Sequence, residues 1–318
     1  MPRSNGAILP GSGKKYPILG AKILLSSATI TTLFLLITAG WKGTKVTQAL
    51  WASHLSKFEI SSAETRFDAL TKAISIWPHY SFYQERAAIS QAKAESSQGE
   101  QSANALASAI SDYRQAAILH THDPGIAINL ANLLSRTKHD DEAEKFYKQA
   151  ALLQGGMEIA FQSHFFFAKH LVDKATREAP TASVNSLKIA AEQIEVSAKK
   201  MVWVSSQVSA LTPVIYEKLG IAREANEQHQ EALESYNLAA AFPGGTTAHY
   251  RAGYLLSKMG ESAWRSLRPS DALGKFMEAK KRIGQARQLP NGVTEGQRLE
   301  TVAHIDRWIT FLKEMKVK

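Results

Sequence analysis

Cysteine is absent from all 318 residues, which excludes disulfide scaffolds, thiolate zinc sites and thiol nucleophiles together. Glycine and proline are sparse, at 19 and 10, too few for a collagenous or low-complexity chain. No Gly-x-Ser-x-Gly, His-Glu-x-x-His or dinucleotide fingerprint occurs, so no catalytic residue, cofactor or metal site is expected and the chain is not expected to be an enzyme. Asn-x-Ser/Thr acceptors are lacking too, so nothing argues for eukaryotic secretion. What remains is 44% hydrophobic and 21% charged, enough apolar material to build a sizeable core by packing alone. The net charge of +9 invites nucleic acid until it is divided along the chain. Residues 1–42 hold five bases and no acid, leaving +4 over the rest, and nucleic acid is not an expected partner.

The N-terminus reads as a basic tail, 1–16, followed by an apolar stretch, 17–41, whose uninterrupted part is the nineteen uncharged residues Ile23 to Trp41. That length suits a spanning helix, which needs about 20 apolar residues. Lys22 would reach the interface, with Tyr16 and Trp41 as aromatic edges. No small-x-small cleavage site follows, so a retained signal-anchor is expected, with lipid contact through 17–41. The short basic tail favours an N-terminus in the cytoplasm and a large extracytoplasmic C-terminal part in a bacterial envelope.

Self-similarity dominates the remainder. Ala109-x3-Tyr113-x2-Ala116 recurs as Ala143-x3-Tyr147-x2-Ala150, exactly 34 residues on, then as Ala232-x3-Tyr236-x2-Ala239 and Ala272-x3-Phe276-x2-Ala279. Spacings of four and three hold the small, aromatic and small side chains on one helical face, where a neighbouring helix can come close against an aromatic knob. Upstream of Ala232, Tyr216-x2-Leu219-Gly220 reads as the first helix of the same hairpin. The pattern resembles the tetratricopeptide repeat, with its 34-residue period and W-x2-L-G-x2-Y…A-x3-F…P signature. The best units are 124–157 and 213–246, the latter with Pro243 near the expected terminal proline. Insertions are expected around Lys93–Asn104 and Glu261–Pro269. A degenerate first unit is expected over 46–78, and an irregular hairpin over 157–212.

The resemblance implies an all-α, right-handed α-solenoid over 46–290 behind one transmembrane helix, closed by a capping helix at 294–316. It also implies a concave face lined by the first helix of each hairpin, binding protein partners. By the family pattern the groove residues are Asn129, Asn132 and Arg136, then Glu217, Ile221 and Glu224, then Tyr250, Arg251, Tyr254 and Lys258. The expected function is a membrane-anchored scaffold for assembly of a cell-envelope protein complex. The alternative is a permanent accessory subunit of a large energy-transducing membrane complex, its hydroxyl-rich span packed among other helices.

Three other constellations have local explanations. His120-Thr121-His122-Asp123 falls in a polar loop between repeats, Asp140, Asp141, Glu142 and Glu144 open a helix where acids suit the macrodipole, and Phe165-Phe166-Phe167 reads as core between His164 and His170. Pro10-Gly11-Ser12-Gly13-Lys14-Lys15 falls short of a phosphate loop, because no strand precedes it and Lys15 stands where Ser or Thr belongs.

Overall fold

The computed structural model describes residues 38–51, 62–153, 158–200 and 205–315. Among them every regular element is a helix. After a helical segment at 38–51 come α1 (Ala63–Ile76), α2 (Tyr80–Ser96), α3 (Gly99–Leu119), α4 (Pro124–Arg136), α5 (Asp140–Leu152), α6 (Glu158–Arg177), α7 (Val184–Lys200), α8 (Ser205–Ala225), α9 (His229–Ala240), α10 (Thr246–Arg265), α11 (Pro269–Gln285) and α12 (Glu295–Glu314).

Local chemistry starts these helices. Asp123 accepts hydrogen bonds from the Gly125 and Ile126 amides and Pro124 follows it at the first helical position, while Thr294 and Gln297 form a reciprocal capping box on α12. Successive helices pair as antiparallel hairpins: α2 with α3, α4 with α5, α6 with α7, α8 with α9, and α10 with α11, each hairpin resting on the next. First helices of neighbouring hairpins also touch, α4 against α6 and α6 against α8. The stack is therefore a curved α-solenoid with first helices on its inner side.

The repeat motif is the core of each hairpin. Tyr147, Tyr236 and Phe276 are fully buried, each framed by buried alanines at the −4 and +3 positions. Each ring lies sixteen residues after a small residue on the partner helix: Ala131, Gly220 and Gly260. A β-carbon at Gly220 would stand 2.5 Å from Tyr236 Cε1, and one at Gly260 would stand 3.1 Å from the Phe276 ring. The ring occupies the volume that a side chain would need, so helix and aromatic face meet directly.

The expected insertions are absorbed as helix. α2 and α3 are separated only by Ser97 and Gln98, and α10 runs unbroken to Arg265, so the extra residues lengthen hairpins rather than forming loops. Between residues 158 and 200 the hairpin is regular, and the Phe165–Phe167 run packs with the core, Phe167 completely. α8 begins at Ser205, two turns before Pro213, which sits inside the helix.

The membrane reading requires correction. Residues 17–37 of the expected span lie outside the described residues, as does the basic tail. Among the described residues no helix is long and apolar enough to cross a membrane. The end of the stretch, 38–41, continues in one helix to residue 51 that carries Lys42 and Lys45 and leaves Trp41 61% exposed. Every later helix mixes an apolar stripe with charged positions, the pattern of a helix that buries one face against protein. The expectation of a single-pass membrane protein with an extracytoplasmic C-terminal domain is corrected by this finding.

Candidate interaction groove

The ten residues expected to line the groove fall into two separate groups. Asn129, Asn132 and Arg136 lie on α4, whereas Glu217, Ile221 and Glu224 on α8 and Tyr250, Arg251, Tyr254 and Lys258 on α10 form a second group, with the α6–α7 hairpin between them.

On α4 the side chains are committed to their neighbours. Asn129 hydrogen-bonds the Tyr113 hydroxyl of the preceding hairpin, whose acidity is nevertheless reduced by burial. Tyr147 donates to Asn132 Oδ1 at 2.5 Å. Arg136 reaches back to Glu95 of α2 at 3.1 Å, both side chains largely exposed.

The second group is a connected network. Arg251 Nε donates to Glu217 at 2.8 Å and Lys258 to Glu224 at 3.2 Å, each base exactly one 34-residue period beyond its acid. Thr247, one turn before Arg251, donates to the other Glu217 oxygen. Glu224 also accepts from the Tyr236 hydroxyl at 2.9 Å, and burial followed by the Glu224 charge pushes that phenol far above its usual range. Ile221 packs against Tyr236, Ala252 and Leu255. Tyr250 is buried and lies parallel to Tyr254 at 6.3 Å between centroids, while Lys258 Nζ stands 4.6 Å over the Tyr254 ring. Tyr254 itself is 42% exposed. A half-exposed aromatic ring on α10 is thereby flanked by a parallel ring and a cation.

Other charged pairs lie outside the expected groove residues. The acids of α5 bridge outward in both directions: Glu142 to Arg114 of α3, Asp140 to Arg177 of α6, and Glu144 to Lys174 of α6, all at 2.7 Å. Burial alone would raise the Glu144 carboxyl, but hydrogen bonds from Lys174 and Lys148 bring it below its usual range. Arg86 forms a fork with Asp112, at 2.9 and 2.7 Å, and donates to Thr71, joining α1, α2 and α3. The loop histidines are also placed. His120 stacks on Tyr80 at 4.3 Å, Asp123 caps α4, and among the described residues no cluster of three metal-ligating side chains occurs.

No family model matches the chain, and no curated protein matches it. Solved structures do. YrrB, described as a TPR protein with an unusual peptide-binding site, aligns over 74% of this chain and 98% of its own at 16% identity and a TM-score of 0.39. A TPR-repeat protein of Bacteroides fragilis aligns over 72% and 98% at 18% identity and 0.39. PilF of Pseudomonas aeruginosa aligns over 84% and 98% at 15% identity and 0.36. These overlays are loose, and the description of the fold as TPR-like hairpins rests on the 34-residue motif and its packing.

Proposed function

We propose that the chain is a non-catalytic scaffold whose inner face binds a segment of a partner protein and so assembles a larger complex. The observation that carries this reading is Tyr254: a large amphipathic ring, 42% exposed on the first helix of the last hairpin, yet backed by Tyr250 and Lys258. Binding energy at protein interfaces concentrates on such pre-oriented aromatic and cationic anchors, because little side-chain freedom is lost on contact. The surrounding ion pairs support the same reading. Exposed pairs of this kind hold each other by about 0–1 kcal/mol, so Lys258 and Arg136 can exchange an internal carboxylate for a partner's at small cost.

The test is site-specific photo-crosslinking in cells of the source organism. A crosslinker at Tyr254 is expected to trap a discrete partner, and one at Met277 on the outer helix α11 is not. Tyr254→Ala combined with Lys258→Glu is expected to weaken the isolated complex at least about tenfold, the size of effect usual for an anchor residue. Equal trapping from both positions, or undiminished binding by the double variant, would overturn the reading.

A further inference from the structure

His170 is 2% exposed and sits on α6 where two hairpins meet. Its Nδ1 is 2.7 Å from Ser135 Oγ of α4, its ring is 5.4 Å from that of Tyr147 on α5, and its Nε2 is buried with no hydrogen-bond partner. The neutral ring tolerates this site: with Nδ1–H donating to Ser135, only a lone pair at Nε2 goes unused. An imidazolium has two donors, and the second would be a buried N–H bearing part of a positive charge without an acceptor.

The charged groups that face the ring do not relieve this. Asp140 and Glu144 of α5 are close enough to favour a proton, but each is already neutralised, by Arg177 and Lys174 of α6 respectively. We propose that His170 makes the joint between the α4–α5 and α6–α7 hairpins proton-sensitive, the charged ring drawing Asp140 or Glu144 away from Arg177 or Lys174 and loosening α5 from α6. Burial, the largest influence, lowers the pKa of the folded ring below the ordinary histidine value of 6.5; the two acids oppose it and the two bases reinforce it. The sign follows. The unfolded or locally opened chain binds the proton more readily, so the joint is fully stable above about pH 6.5 and loses stability as pH falls through that value.

Two measurements on the full chain test this. Amide hydrogen exchange, corrected for intrinsic rates, is expected to show protection in α5 and α6 falling about three- to tenfold between pD 7.5 and 5.5, since one pH unit below the unfolded value corresponds to about tenfold in the opening equilibrium. His170→Gln, which can keep the Ser135 bond, is expected to abolish that fall while leaving α10 and α11 unchanged. An identical pH response in the variant overturns the proposal. Should the variant not fold, a ring titration of His170 by NMR in the wild-type chain decides: a midpoint clearly below 6.5 supports the joint, and one at or above 6.5 overturns it.

Discussion

At Gly220 a single methyl group is enough to test how the repeat is built. Its β-carbon would meet the fully buried Tyr236 ring at 2.5 Å, and neither the helix nor the ring has room to yield. Gly220→Ala is expected to cost about 1–3 kcal/mol, the usual range for overpacking, against the gain of roughly 1 kcal/mol that alanine brings to an exposed helix site. Urea denaturation of the two proteins measures the difference, and a variant as stable as the parent would show that the contact is slack. Gly220 was legible in the sequence because it sat in a recognisable run, Tyr216-x2-Leu219-Gly220. Gly260 was not, although its distance from Phe276 is the same sixteen residues, because an insertion was expected to begin at Glu261. The commitments of Asn129, Asn132 and Glu224 to tyrosine hydroxyls were equally hidden. A repeat pattern marks where a side chain stands, and not which neighbouring hydroxyl claims it.

Among elements, the turns inside three of the hairpins, α4–α5, α8–α9 and α10–α11, share one device. Lys138, Glu227 and Leu267 all take left-handed backbone conformations, with φ of 62°, 60° and 57°. In each, the following amide bonds a carbonyl five residues back: His139 to Leu134, Gln228 to Arg223, and Arg268 to Ala263, all at 2.9 Å. This is the helix-ending motif that glycine ordinarily fills. A side chain there costs about 1–2 kcal/mol, and Leu267, 88% exposed, recovers none of it by packing. Leu267→Gly is expected to stabilise the chain by about 0.5–1 kcal/mol, less than the full strain because glycine also loosens the unfolded chain. A thermal melt shows it as a higher midpoint, and a lower one refutes it. The left-handed residues were invisible beforehand, since none of these three turns carries glycine. The lengthened α2–α3 and α10–α11 hairpins escaped for a related reason: Ser, Gln and Gly between two helical stretches read as loop, whereas packing against neighbours carried the helix through them.

For the whole molecule the repeats need ends. α12 supplies one: Ile305 and Leu312 are buried against α11, and Trp308 stacks on Phe276 at 5.4 Å, with Trp264 and Phe311 completing the cluster. Its opposite face carries Glu300, Arg307 and Glu314. A chain stopped at residue 290 would bare the Phe276 ring, and the expected result is loss of exchange protection in α10 and α11 together with concentration-dependent association. Retained protection and a monomer would mean that the last hairpin stands without its cover. The general architecture was readable because a 34-residue period can be satisfied in few ways. The charged contacts between hairpins were not readable as pairs: Glu217 with Arg251 and Glu224 with Lys258 stand one period apart, whereas Arg136 and Glu95 are 41 residues apart and Arg177 and Asp140 are 37.

Those two periodic pairs also match one unit to the next. Glu217 and Arg251 occupy the same place in successive units, as do Glu224 and Lys258, so this junction sets an acid against a base at two equivalent positions. Two copies of the 213–246 unit placed in tandem would instead set Glu against Glu twice over, and like charges at such distances repel. The 213–246 unit is thereby matched by charge to its own successor rather than to a copy of itself, through side chains that leave the shape of the block unchanged.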